Sequence, residues 1–439
     1  MGRRIIWAAG LSALVAGYAT AQQPGPGPGA GFYPAAPGPV LSLPSNVLFP
    51  DPVPPPTGMP GSGFAEKPPR YPVDESGNRA INWFYSQSEL LYGWVNKGDS
   101  RPLGTRGNAL GRGVLGEPGT SSLGATDDFD SAYGFRQMIG IWLVPSRKFG
   151  FETGGYVLER QTAGFTATSD GSAILARPFY DASTDSENAR LIAFPDGFRG
   201  TVSALGTTRN YGLEANFIFN AMERDAFSLD FLTGFRFLAL EENLTVRDRT
   251  QAFNSGLVAY NGVLAGNPAA VAVTDRAATA NRFYGMALGL RASGEYSRIS
   301  YSLTTKISLG GVRQRQFTEG RTDFFPDGVT LGNSTPTGML YYTNNSGLQN
   351  RTKFAVVPEL GLKLGYRITN RISSYIGYDV IYLNDAIRPS DTVSRSINPT
   401  LLPTSPTFGV PFGPNVPTAG IRTSDFLLQT FSSGVMVVF

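Results

Sequence analysis

Charged side chains in this sequence recur at even spacings inside apolar runs. Glu359, Lys363 and Arg367 punctuate one run and Asp379 the next. Glu89, Arg136, Glu152, Glu214, Asp230, Arg236, Arg291, Glu295 and Lys306 sit in others in the same way. Carboxylates set among cations can transfer protons, hold a metal, line an ion path or neutralise one another. The sequence contains no His and no Cys. That removes nucleophile–His triads, His-based acid–base pairs and thiolate or imidazole metal sites. Catalysis by carboxylates, Lys or Tyr stays possible.

What positions these charges is alternation. From Phe354 to Asn384 the chain reads as two arms joined at Thr369-Asn370-Arg371. In the first arm Val356, Leu360, Leu362, Leu364, Tyr366 and Ile368 share one face, while Glu359, Gly361, Lys363, Gly365 and Arg367 share the other. Successive side chains of a strand point to opposite sides, so each arm has an apolar face and a charged or small one. A half-buried soluble hairpin would alternate too. Each arm, however, exceeds the roughly 9–11 residues that cross a bilayer at a tilt. Aromatics near the ends of the apolar face and opposed charges with glycines on the other suit lipid outside and an enclosed lumen inside.

The same pattern recurs around Phe84–Trp94, Tyr133–Leu143, Phe149–Val157, Tyr211–Phe219, Phe227–Phe237, Tyr284–Leu290, Tyr301–Leu309 and Asp425–Phe439. Short turns near 145–148, 220–225, 297–298 and 369–371 alternate with long segments near 96–130, 160–206, 245–280, 314–352 and 385–424. Short periplasmic turns and long external loops are the signature of an outer-membrane barrel. The expected fold is all-β: a transmembrane antiparallel up-and-down β-barrel of about ten strands over residues 81–439. Most enzymes on such barrels use a histidine, so the composition points away from catalysis.

Residues 1–21 read as a cleaved secretory signal, with Arg3-Arg4, an apolar core from Ile5 to Ala16 and small residues at Ala19-Thr20-Ala21. Residues 22–80, rich in Pro and Gly, read as a disordered periplasmic linker. The formal charge of +3, partly carried by the signal, gives no support for a nucleic-acid partner. Outer-membrane lipid and the barrel assembly machinery are the expected partners, with small solutes or cell-envelope components beyond them. Asp127-Asp128 and Asp130 form an acidic cluster that reads as a solvated loop more readily than as a calcium site. No cofactor is expected.

The segments Gly134-Phe135-Arg136, Gly234-Phe235-Arg236-Phe237, Asn281-Arg282-Phe283-Tyr284-Gly285, Phe354-Ala355-Val356-Val357-Pro358-Glu359, Arg388-Pro389 and Ile397-Asn398-Pro399 occur in order along the chain. In these the sequence resembles the putative β-barrel porin family numbered seven, over most of residues 83–439. The resemblance implies an outer-membrane barrel and supplies no active site. Phe439, an aromatic closing an alternating strand, resembles the signal by which such barrels are recognised for assembly.

The expected function is a pore, with a non-conducting surface barrel as the alternative. The inward charges form the constriction of a narrow, weakly selective pore, or they pair and fill the bore of a non-conducting barrel that acts through its outer loops in adhesion or envelope organisation. Barrels of eight strands have packed interiors, whereas 16–18 leave a water channel, so ten lies toward the filled end.

Overall fold

The computed structural model describes residues 83–98, 101–224, 226–410 and 412–439; the expected signal and linker lie outside them. Ten strands form the barrel: β1 (Phe84–Val95), β2 (Ala132–Trp142), β3 (Phe149–Leu158), β4 (Phe198–Arg224) and β5 (Phe227–Ala252). They continue as β6 (Ala270–Tyr296), β7 (Ile299–Phe325), β8 (Gly347–Arg367), β9 (Ile372–Ala386) and β10 (Ser424–Val438). Each pairs antiparallel with its sequence neighbours, and β10 closes on β1 through Tyr85↔Val438 to Val95↔Leu428. Closure leaves no sheet edge in hydrocarbon, where an unpaired backbone amide would be costly.

The outward face carries the expected grease. Phe135, Leu213, Phe217, Phe235, Met286, Leu290, Leu362, Leu364 and Phe431 are all exposed. Aromatic rings bound this belt on both sides. At the end with the short turns, Phe84 meets Phe439 at 5.5 Å and Phe149 meets Phe219 at 5.5 Å. At the other end Tyr92 meets Tyr133 at 5.5 Å and Phe237 meets Tyr284 at 5.1 Å. Phe227 and Phe237, one near each rim of β5, are separated by about 34 Å of strand, or about 26 Å of bilayer at a typical barrel tilt.

The segments 96–130 and 385–424 are mainly loop, as the alternation suggested, but the other three long segments are in part barrel strand. β4 starts at Phe198, β5 runs to Ala252, β6 starts at Ala270, β7 runs to Phe325 and β8 starts at Gly347. The last part of 160–206 and about half of 245–280 and of 314–352 are therefore strand that continues beyond the belt. The 220–225 turn is also shorter than expected, because β4 runs on to Arg224. On the extended strands the greasy side changes over. Along β5, Phe231, Phe235 and Phe237 face outward in the belt, but beyond it the outward positions become Glu241, Asn243, Thr245 and Arg247. The inward positions change from Asp230 and Arg236 to Leu238, Leu240, Leu244 and Val246.

Above the belt the barrel is filled by its own connections. Strand Gln161–Ser169 adds to the upper part of β4. A small five-stranded sheet is built from Thr105–Gly107, Ser121–Ser122, Ile174–Asp181, Ser186–Ala193 and Ser396–Ile397. A core of Leu103, Phe179, Leu244, Val246, Tyr341 and Leu402 joins these pieces to the extended strands.

The belt predicts a depth-dependent cost. Leu362→Arg, placed mid-belt and facing lipid, should lower barrel stability by about 2–4 kcal/mol, whereas Leu348→Arg on the same face of β8 above the belt should cost about 0–1 kcal/mol. Urea unfolding of the barrel in lipid vesicles reads the difference; equal losses would mean that the belt is misplaced.

Candidate functional site: a charge layer across the bore

Inside the belt, parity brings the charges to the bore. Glu89 on β1 stands opposite Arg136 on β2, Glu214 on β4 opposite Arg236 on β5, Asp230 opposite Arg291 on β6, and Lys306 on β7 opposite Glu359 on β8. The bore is narrow enough for these side chains to reach across it. Arg136 bonds Glu89 at 3.1 Å and Asp379 of β9 at 2.8 Å. Arg236 donates Nε and Nη2 to Glu359 at 2.7 and 3.0 Å. Arg291 reaches Glu152 of β3 at 2.7 Å. Lys306 pairs with Glu214, and Lys363 with Glu89.

Five cations (Arg136, Arg236, Arg291, Lys306, Lys363) thus meet five carboxylates (Glu89, Glu152, Glu214, Glu359, Asp379). The layer is neutral. Stripping ions of water is expensive unless each finds a partner with good geometry, and the pairing supplies one to every member. A cavity of about 90 Å³ remains among them, lined by Gln87, Arg136, Tyr156, Glu214, Arg236 and Glu359 among others. That is room for a few waters.

The remaining candidates lie elsewhere. Asp230 is buried toward the short-turn end and accepts from Asn220 Nδ2 at 2.8 Å. Glu295 and Arg367 pair with each other at 2.8 Å at the rim, both about 40% exposed (42% and 40%), and are not members of the central layer. Phe439 is exposed on the outer face at that rim, its amide donating to Phe84 O at 2.9 Å. The acidic loop does not converge: Asp128 pairs with Lys97 at 2.8 Å, while Asp127 is buried, and among the described residues no group of three carboxylates could hold a metal.

The alternation also marked residues that a search for charge passes over. Tyr85 and Tyr375 share the inward parity and donate their hydroxyls to Glu152 at 2.8 Å and to Glu89 at 3.0 Å. Their rings lie over glycines. A Cβ on Gly140 would collide with the ring of Tyr85, and one on Gly434 would crowd Tyr375. Glycine at both positions lets a tyrosine lie flat in a bore with no spare width.

The next inward positions of the strands, beyond the charges, are apolar. Leu91, Leu158, Leu238, Phe283, Val312, Leu383 and Phe426 are fully or almost fully buried and form one cluster across the bore. Above it, Arg388 from the β9–β10 connection inserts and bonds Glu242 at 3.0 and 3.1 Å, with both side chains almost wholly buried. Burial pulls the Arg388 guanidinium down, but the adjoining Glu242 carboxylate more than offsets it and holds Arg388 above the ordinary value. Higher still, Arg177 bridges Asp248 at 3.0 Å and Asp275 at 2.9 Å. Asp275 also accepts the amides of Leu340 and Tyr341, which ties the β7–β8 connection into the interior.

A double-mutant cycle tests whether the layer acts as a unit. Arg236→Met alone strands Glu359 in the interior and should cost about 3–5 kcal/mol, whereas Arg236→Met with Glu359→Met should recover most of that loss. Losses that simply add in urea titrations would mean that the two groups do not share an interaction.

Comparison with known proteins places residues 85–439 under the family model described as Putative beta barrel porin-7. No curated protein sequence matches the chain. Among solved structures, the outer membrane protease OmpT from Escherichia coli is similar at a TM-score of 0.37 and 10% identity, over 82% of this chain and 98% of that one. A FadL homologue from Pseudomonas aeruginosa gives a TM-score of 0.21 and 8% identity, over 84% and 93% of the two chains. The toluene transporter TodX of P. putida gives 0.20 and 8%, over 82% and 91%.

Proposed function

The chain belongs to the family described as Putative beta barrel porin-7, and from that premise we propose that it is an outer-membrane barrel that does not conduct and that serves as the foundation of a structured external domain. The observation that carries this reading is the apolar layer of Leu91, Leu238, Phe283, Leu383 and Phe426 across the bore. Water leaves an apolar constriction of this kind, and ions do not pass without it. The charge layer beneath offers no net field to draw either sign of ion, since its five cations and five carboxylates are paired.

The extended strands supply the positive half of the proposal. A barrel whose only task is to seal itself in a membrane has no use for strands that run from Ala239 to Ala252 or from Ala270 to Asn281 in water. Here they raise a packed external body, and its outer surface is what the protein offers to cell-envelope components or to other surfaces. The sequence has no His, and enzymatic activity forms no part of the reading. The competing pore reading draws on the family's description and on the cavity of about 90 Å³ among the charges. It needs the apolar layer to part.

Planar-bilayer recording decides between the two. The folded barrel should show no discrete conductance steps at any applied voltage; reproducible steps from the unaltered protein would overturn the proposal. The β5–β6 connection carries a short hairpin in which Val258–Tyr260 pairs with Val263–Ala265. Replacing 257–266 with a short turn should leave heat-resistant barrel mobility unchanged while removing whatever surface binding the intact protein shows.

A further inference from the structure

On the outer surface, at the upper edge of the belt, strands β4, β6 and β7 change from aromatic or aliphatic to basic within a few residues. Arg209 follows Tyr211 on β4, Arg282 follows Tyr284 on β6, and Arg313 and Arg315 follow Leu309 on β7. All four arginines are exposed and face the same way as the belt. Glu241 is the one carboxylate among them; it takes the hydroxyl of Tyr211 at 3.1 Å and Arg282 at 3.2 Å. Arg209 lies over the ring of Tyr211 at 5.3 Å. The side chains of Arg313 and Arg315 make neither a hydrogen bond nor an ion pair among the described residues.

Register makes this arrangement unfavourable as it stands. Arg282 and Arg313 are direct cross-strand partners, and like charges in that position destabilise a sheet. Arg315 projects from the same face of β7, two residues on. Three guanidinium groups therefore lie on two adjacent strands, with the one carboxylate, Glu241, to the β5 side of Arg282 and away from Arg313 and Arg315. An anion seated among them would relieve the repulsion. The patch is continuous with the surface that lipid tails cover, so the anion nearest to hand is a headgroup. We propose that Arg282, Arg313 and Arg315 bind the phosphate of an anionic lipid of the outer leaflet, whose acyl chains lie on the belt below them.

The chemistry fits. Guanidinium forks bind phosphate oxygens in pairs, and Arg is weakly hydrated compared with Lys. Tyr284 and Phe237 directly beneath, 5.1 Å apart, are the amphipathic and apolar rings expected at headgroup level. The proposal stands whether or not the bore conducts.

The test uses the full chain, delipidated and refolded in detergent, with adduct formation read by native mass spectrometry. Lipid A, which carries two phosphates on an acylated sugar, is the probe. Phosphatidylcholine and inorganic phosphate are the controls. The intact protein should retain lipid A at least ten-fold more strongly than the R313S/R315S variant, and more strongly than it retains phosphatidylcholine. Arg276→Ser, which removes a cation already paired with Glu319 at 3.4 Å further above the belt, should leave retention unchanged. Equal retention by R313S/R315S, or an equal loss in Arg276→Ser, would overturn the assignment. Displacement of lipid A by equimolar inorganic phosphate would overturn its lipid half, because the acyl chains would then contribute nothing.

Discussion

A strand has two faces and cannot choose which residues go to which; the rest of this structure follows from what each face meets at each height. Within the bilayer the outer face meets hydrocarbon and the inner face meets a confined interior. Beyond the bilayer the outer face meets water and the inner face meets a core. Strands β4 to β8 cross that boundary without a break, so the chemistry must change sides while the backbone does not. On β6, outward Leu290, Leu288, Met286 and Tyr284 give way to Arg282 and Arg276, while inward Arg291 gives way to Phe283, Ala277 and Val273. One continuous ladder thus serves as membrane protein below and as water-soluble protein above.

The charge layer meets the same constraint from inside. Backbone hydrogen bonds in a barrel join only neighbouring strands, as the register of every pair here shows. The ion pairs Arg236–Glu359, Arg291–Glu152 and Lys306–Glu214 instead join strands that are not neighbours, across the bore. Buried ion pairs often contribute little net stability against an apolar alternative. Their value here lies in specificity. A one-residue slip of β1 would carry Glu89 to the lipid and Leu90 to the bore, separating a carboxylate from three donors at once: Arg136, Lys363 and Tyr375. Pairing that reaches across the ring makes every strand's register depend on strands it does not touch.

The sequence shows most of the lower half plainly. Ten alternating runs, four short turns and the parity of the inward charges can be read there because lipid on one side and charge on the other give maximal contrast. The upper half is obscure for the reason that makes it stable. Where Val202, Ala204 and Gly206 face inward and Ser203, Leu205 and Thr207 outward, the contrast is low and its phase is reversed, so a search for greasy outward faces reads the segment as loop. Glu242, Asp248 and Asp275 lie on the inward parity of β5 and β6 and would have been found by continuing the count past Arg236 and Arg291. Their partners Arg388 and Arg177 come from connections without a period of their own. The same is true of Tyr85 and Tyr375, whose inward parity is evident but whose role shows only when a ring is seen lying on a facing glycine.

The order of the interior layers bears on function more than any single residue does. From the short-turn end upward come a neutral charge layer with its small wet cavity, an apolar layer, the Arg388–Glu242 pair, and a core shared with the external connections. A gate needs one of these to move independently of the others. Arg388 is held at once by Glu242 on β5 and by the carbonyl of Asn96 at 2.9 Å, and Ile387 beside it exchanges two hydrogen bonds of 2.8 Å with Asn281 on β6. Withdrawing Ile387 and Arg388 would thus leave a buried carboxylate and a buried amide without partners. The interior layers are therefore tied to one another and to the connections above them, which is the property that the proposed external role would require.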